Sequence, residues 1–138
     1  MDRITHAVAA GWSQEPFSVT LPAAGVFPDS GAPRVICLAA GEGLNALGTL
    51  HTAVCRRLEE LIFRHEEGVF RAHLTLGRVR HSTPGAGRLI WKVLKGLPLI
   101  KLTWRVDRIA LYESQLSASG PSYRLLETGF LGPDTRRT

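Results

Sequence analysis

Phe70-Arg71-Ala72-His73-Leu74-Thr75-Leu76-Gly77-Arg78-Val79-Arg80 sets a histidine and a threonine two residues apart in a strand-like run flanked by arginines. On an extended strand that spacing puts both polar side chains on one face, while Leu74 and Leu76 turn to the other and into a core. A neutral imidazole exchanges protons near neutral pH, and a hydroxyl beside it can hold a phosphoryl oxygen. The guanidinium of Arg78 adds a forked donor for the same anion. These are the parts of a phosphate-ester site. Arg71 has the parity of His73 and Thr75, which makes it a second candidate for the anion. Arg78 has the opposite parity, and a bulge or strand end at Gly77 is the device that would turn it back.

Charge reinforces this reading. The net charge is +5, and from Gly68 to Val106 there is no aspartate or glutamate, whereas Arg71, Arg78, Arg80, Arg88, Lys92, Lys95, Lys101 and Arg105 all fall there. Such a block attracts anions and binds nucleic acid in a salt-dependent way, or else is a solvated basic face. Its position around the His-Leu-Thr-Leu run favours the first reading.

A chain of 138 residues, 44% hydrophobic, suits one compact domain with its own core. No apolar stretch has the length that spans a bilayer, and Met1 to His6 lacks the layout of a signal peptide, so a cytoplasmic location is expected. Cys37 and Cys55 stand in apolar surroundings without metal-ligand spacing, and read as buried thiols.

The elements that must position the motif follow from periodicity. Ile4, Ala7 and Val8 share helical spacing, as at the end of a helix, and residues 1–15 read as partial helix and linker. Phe17, Val19 and Leu21 alternate as a half-buried strand that Pro22 ends. Gly25 to Pro33 reads as a loop, in which Phe27 is a core anchor or a surface for stacking a base, and Arg34 to Ala39 as an apolar strand. Leu44, Leu47, His51, Val54, Leu58, Leu61 and Ile62 predict an amphipathic helix over Gly43 to His65, stopped at Gly68. His51 would then lie near its apolar stripe and His65 at the surface near its end.

After the motif strand, Thr83 to Gly87 reads as a connection, followed by a short helix through Leu89, Ile90, Val93, Leu94 and Leu97 that Gly96 and Pro98 end. Leu102, Trp104 and Val106 alternate, and the apolar phase resumes one residue out of step at Ile109 and Leu111. A bulge near Asp107 and Arg108 would account for the slip. Trp91 and Trp104 read as packing residues or stacking platforms, Tyr123 to Leu126 as a final strand, and residues 133–138 as a frayed tail. Strands and helices in this order give an α+β sheet protein.

The His-Leu-Thr-Leu run followed by Gly-Arg-Val-Arg resembles the second His-x-Thr-x motif of the 2H phosphoesterases, in particular the 2'-5' RNA ligase group that acts as RNA 2',3'-cyclic phosphodiesterases. The resemblance extends upstream through Pro16 to Leu21, Gly25 to Pro28 and Pro33 to Ile36, and downstream through Leu111 to Leu116, Gly120-Pro121 and Tyr123. It implies one two-lobed domain over 1–138, with antiparallel sheets around a central cleft and helices outside. It also implies metal-free hydrolysis of 2',3'-cyclic phosphate ends to 2'-phosphomonoesters, with no dissociable cofactor. By carry-over, His73 is an acid/base, Thr75 binds a phosphoryl oxygen, and Arg78 with Arg71 holds the phosphate.

The departures are specific. The family carries two His-x-Thr-x motifs, and the first would fall before Met1, leaving the fold N-terminally incomplete. His6 and His51 do not fit the pattern, and His81-Ser82-Thr83 runs into Pro84-Gly85 and reads as a turn. Ala72 stands where the family usually has proline. Three readings follow: a phosphodiesterase read from too late a start, a short form completed as a homodimer, and a non-catalytic module that binds RNA ends or phosphate.

Overall fold

The computed structural model describes residues 2–28, 30–61, 68–81, 83–97 and 101–132. Its elements run α1 (Asp2–Ala9), β1 (Phe17–Leu21), β2 (Ala23–Phe27), β3 (Val35–Ala39), α2 (Leu44–Glu59), β4 (His73–Arg78), α3 (Pro84–Gly96), β5 (Leu102–Val106), β6 (Arg108–Ser117) and β7 (Gly120–Phe130). The α+β expectation holds. β1 pairs with β5, β2, β3 and β4 form a three-stranded sheet in that order, and β6 pairs with β7. Among the described residues no helix is long and apolar enough to cross a membrane.

The chain divides into two compact units, one of residues 1–17, 49–68 and 105–138 and the other of residues 18–48 and 69–104. In the first, Trp12, Leu50 and Leu131 are buried together, with Phe17, Val54, Val106 and Ile109 packed against them. The short helix α1 ends against an arginine: Arg57 Nη1 donates to the carbonyls of Ala7 (3.0 Å) and Gly11 (2.8 Å), and its guanidinium lies 3.7 Å from the Trp12 ring centroid. This satisfies carbonyls that the helix end leaves open and adds a cation–π contact. Gly129 of β7 lets α1 approach closely, because a Cβ there would collide with the Val8 carbonyl.

In the second unit, Val19, Thr20 and Leu21 are buried. Thr20 is tied to the start of α2: its hydroxyl accepts from the Glu42 amide (3.0 Å), its own amide donates to the Glu42 carbonyl (3.1 Å), and its carbonyl accepts from Gly41 (2.8 Å). Gly43 follows with φ +82°, the left-handed turn that a side chain resists.

Several boundaries differ from the sequence reading. Gly25 to Phe27 belongs to β2 rather than to a loop, since its pairing with β3 outweighs the local glycine and proline signal. α2 ends at Glu59, short of Gly68; Ile62 and His65 lie outside the described residues, as do Pro98 and the tail at 133–138. α3 begins at Pro84 rather than after Gly87, because Thr83 caps it by accepting from the Ala86 amide at 3.2 Å and proline suits the first helical position. The phase slip near Asp107 is a passage between two sheets, β5 pairing with β1 and β6 with β7, and the register shift within the hairpin lies between Leu111 and Tyr112. The final strand spans Gly120–Phe130, longer than Tyr123 to Leu126.

Candidate functional site

β4 carries the motif as an edge of the second unit's sheet; among the described residues it pairs with β3 alone. The ladder matches Ala39 with His73, Leu38 with Leu74 and Cys37 with Thr75, then slips, so that Ile36 faces Gly77 and Val35 faces Arg78. Leu76 is the extra residue, and Leu74 and Leu76 are 47% and 56% exposed rather than turned into a core as their alternation predicts, because no element packs closely over that side of the edge strand among the described residues. Side chains of directly paired residues share a face, and Val35, Cys37 and Ala39 alternate along β3. The bulge therefore restores Arg78 to the face of His73 and Thr75. Without it the arginine would point through the sheet.

The same face continues across β2, where Gly25 pairs with Cys37 and Phe27 with Val35. Three rows result: Ala23, Ala39 and His73; Gly25, Cys37 and Thr75; Phe27, Val35 and Arg78. His73, Thr75 and Arg78 are all exposed, as is Arg71 just ahead of the strand. The small residues beside His73 and Thr75 leave a cavity of about 270 Å³ over the sheet, lined among others by Gly25, Phe27, Cys37, Arg71 and His73. Arg71 lies across it, with its guanidinium carbon 5.2 Å from the Phe27 ring centroid. A larger, mostly apolar cavity of about 590 Å³ also meets Arg71 and His73 and is lined elsewhere by Leu21, Leu47, Leu74 and Trp104.

His73 is oriented by its own backbone. Its Nδ1 lies 2.7 Å from the Arg71 carbonyl oxygen. A carbonyl only accepts, so this contact places a proton on Nδ1 and leaves Nε2 as the lone-pair nitrogen of the neutral ring. An imidazole held in one tautomer on an exposed residue is set up to exchange one proton through its other nitrogen. Thr75 and Arg78, two and five residues on, supply a hydroxyl and a fork of N–H donors on the same face. That set suits a phosphoryl group, which offers several oxygens and a negative charge.

The other histidines stand elsewhere. His51 is half-buried on α2 with Nε2 3.5 Å from the Cys55 Sγ, His6 is exposed on α1, and His81 is exposed in a bend outside any strand. Cys37 is buried on the floor of the site face, and Cys55 is half-buried. Among the described residues no group of three or more His, Cys, Asp or Glu side chains is arranged to hold a metal ion. All eight basic residues between Gly68 and Val106 are exposed, and Lys101 approaches Glu42 at 3.9 Å. Sequence reasoning missed that Gly25, Phe27 and Cys37 share the face of His73. The signal was the alternation of Gly25 and Phe27, hidden by the prolines and glycines that follow.

Residues 1–117 match the family described as the 2'-5' RNA ligase superfamily. A protein of Archaeoglobus fulgidus named RNA 2',3'-cyclic phosphodiesterase is 35% identical over 78 residues, which cover 56% of this chain and 43% of that protein. Its namesake in Aeropyrum pernix is 31% identical over 115 residues, covering 81% of this chain and 63% of the relative. A crystal structure of a Thermus thermophilus protein superposes with a TM-score of 0.66 at 27% identity, covering 97% of this chain and 71% of that one. The chain thus spans between 43% and 63% of the length of these two curated relatives.

Proposed function

The chain belongs to the 2'-5' RNA ligase superfamily, and from that premise we propose that it acts on RNA or nucleotides ending in a 2',3'-cyclic phosphate, hydrolysing them to 2'-phosphomonoesters. The supporting observation is the bulge at Leu76, which aligns His73, Thr75 and Arg78 on one open face. Relatives named RNA 2',3'-cyclic phosphodiesterase support the choice of substrate.

In this reaction water attacks phosphorus, the bond from phosphorus to the ribose 3'-oxygen breaks, and the 2'-ester stays. One group accepts the proton of the water and another donates a proton to the departing oxygen. His73 Nε2 performs one of these transfers while the Arg71 carbonyl holds the opposite nitrogen. Thr75 and Arg78 donate to the phosphoryl oxygens, where negative charge grows in the transition state. No metal or dissociable cofactor is called for by this set of side chains.

The complementary transfer needs a second carrier, which a second copy of the chain would supply. The hairpin of the first unit favours association. Tyr112, Leu116, Tyr123 and Leu125 lie exposed on one of its faces, an apolar patch of the kind that marks protein contacts. The alternative is a module that binds phosphate or RNA ends without turnover.

Incubating the purified chain with a short RNA ending in a 2',3'-cyclic phosphate tests this, with His73→Ala as control and protein concentration varied. Turnover abolished in the variant is expected, and specific activity that rises with concentration places the second carrier on another copy. Binding without turnover at any concentration leaves a binding module or a piece of a longer enzyme.

A further inference from the structure

α3 packs on its own unit by one side. Leu94 is buried, a Cβ on Gly87 would press on Pro33 at 3.3 Å, and the tip of the Trp91 ring stands 4.0 Å from where a Cβ on Gly25 of β2 would lie. At about 3.6 residues per turn, the positions two before and two after Trp91 lie half a turn away from it. They are Leu89 and Val93, 64% and 55% exposed, and Leu97 follows one turn on at 52%. Exposed apolar side chains scattered singly are ordinary, but these form a row at four-residue intervals. Along one flank of the row run Arg88, Lys92 and Lys95, all exposed. α3 contains no acidic residue, and its unit holds eight lysines and arginines against two acids, Asp29 and Glu42.

We propose that α3 is a peripheral binding helix for an anionic lipid surface, with Leu89, Val93 and Leu97 dipping between the headgroups while Arg88, Lys92 and Lys95 meet the lipid phosphates. The argument is complementarity of both rows at once. A nucleic-acid backbone would neutralise the cations and leave the apolar row in water. A bilayer with acidic headgroups offers negative charge and apolar depth a few ångströms apart, the pairing that a basic amphipathic helix matches. The helix lies in the interface and does not cross it, since its 13 residues are about 20 Å long and only one row is apolar on the outer side. It is already folded against β2, so adsorption carries no cost of ordering a disordered peptide. Three apolar side chains make a weak anchor by themselves, and the cations supply the second signal that stable adsorption requires.

Co-sedimentation of the full chain with vesicles tests this, using phosphatidylcholine alone and phosphatidylcholine mixed with phosphatidylglycerol. The chain is expected to pellet with the anionic vesicles and to stay in solution with the zwitterionic ones. Lys92→Gln should weaken partition about fivefold, the usual effect of one cation at such a surface. Leu89→Ser combined with Val93→Ser should weaken it about tenfold or more, as loss of buried methylene groups implies. Both positions are exposed, so the melting temperature should hold, and Val93→Thr, of nearly the same shape, is a second variant should the pair fail to fold. Pelleting that falls with Lys92→Gln and ignores the serine substitutions overturns the proposal, because charge alone then suffices. Absence of pelleting with anionic vesicles also overturns it; binding of a short RNA that weakens in Lys92→Gln then assigns the basic row to nucleic acid, and a dimer dissolved by the serine substitutions assigns the apolar row to a second copy.

Discussion

The sheet of β2, β3 and β4 and the hairpin of β6 and β7 are both antiparallel, and both contain one register shift, yet they expose opposite chemistry. In the first, the slip at Leu76 gathers His73, Thr75 and Arg78 on an exposed face over small residues. In the second, the slip between Leu111 and Tyr112 leaves one face half-buried, through Ile109, Leu111 and Glu113, and the other exposed with Tyr112, Leu116, Tyr123 and Leu125. A bulge changes which side chains share a face, and the residues around it decide whether that face reacts or packs. The first face carries polar, charged side chains and the second apolar ones.

The largest expected effect separates the two regions outright. His73→Ala lowers cyclic phosphate hydrolysis by about a hundredfold or more, the loss typical of one acid/base group, and leaves the melting temperature nearly unchanged because His73 is exposed. A large drop in melting temperature would show that the histidine is structural. Removing Leu76 tests the bulge itself. The deletion should swing Arg78 off the site face and weaken phosphate binding roughly ten- to a hundredfold, matching Arg78→Ala, as loss of hydrogen bonds to a charged group implies. If the deletion and wild type bind phosphate equally, the phasing of Arg78 plays no part.

In the other unit the effects are on stability. Gly129→Ala forces a Cβ onto the Val8 carbonyl, and denaturant unfolding should show a loss of about 1–3 kcal/mol, with phosphate affinity retained by the folded fraction. The smallest effect concerns Asp107, which Arg108 grips at 2.8 Å on the hairpin edge. That hydrogen bond, with the charge of Arg108 adding to it, holds the Asp107 carboxyl below its ordinary value of 3.8. A carboxyl lowered on folding stabilises the protein above its unfolded value and loses that contribution as pH falls through the lower folded value. Arg108→Ala should therefore leave stability near neutral pH slightly reduced and the acid limb below pH 3.8 shallower. Because the pair is exposed the change is small, and a melting curve unaltered at every pH would remove Asp107 from the account.

Much of the frame was legible in the sequence. The alternation of Phe17, Val19 and Leu21 fixes a strand whatever lies around it, and the three- and four-residue spacing along Leu44 to Leu58 fixes a helix. Boundaries were less legible where local and tertiary signals disagree. Gly25 to Phe27 looks like a loop because glycine and proline surround it, and becomes a strand because β3 offers its hydrogen bonds. Asp107 looks like a bulge because a one-residue slip within one sheet and a passage between two sheets leave the same pattern in the chain.

By itself the sequence determined the chemical types: a histidine, a threonine and two arginines within eight residues, in a segment without acidic charge. It also set the parity of His73 and Thr75, since alternation is a property of the extended backbone. Only the tertiary structure decided where the extra residue sits and hence that Arg78 joins them, because a bulge is defined by its partner strand. The same holds for Phe27 and Gly25, nearly fifty residues from His73 in the chain, which reach its face through hydrogen bonds to β3 that no local pattern encodes.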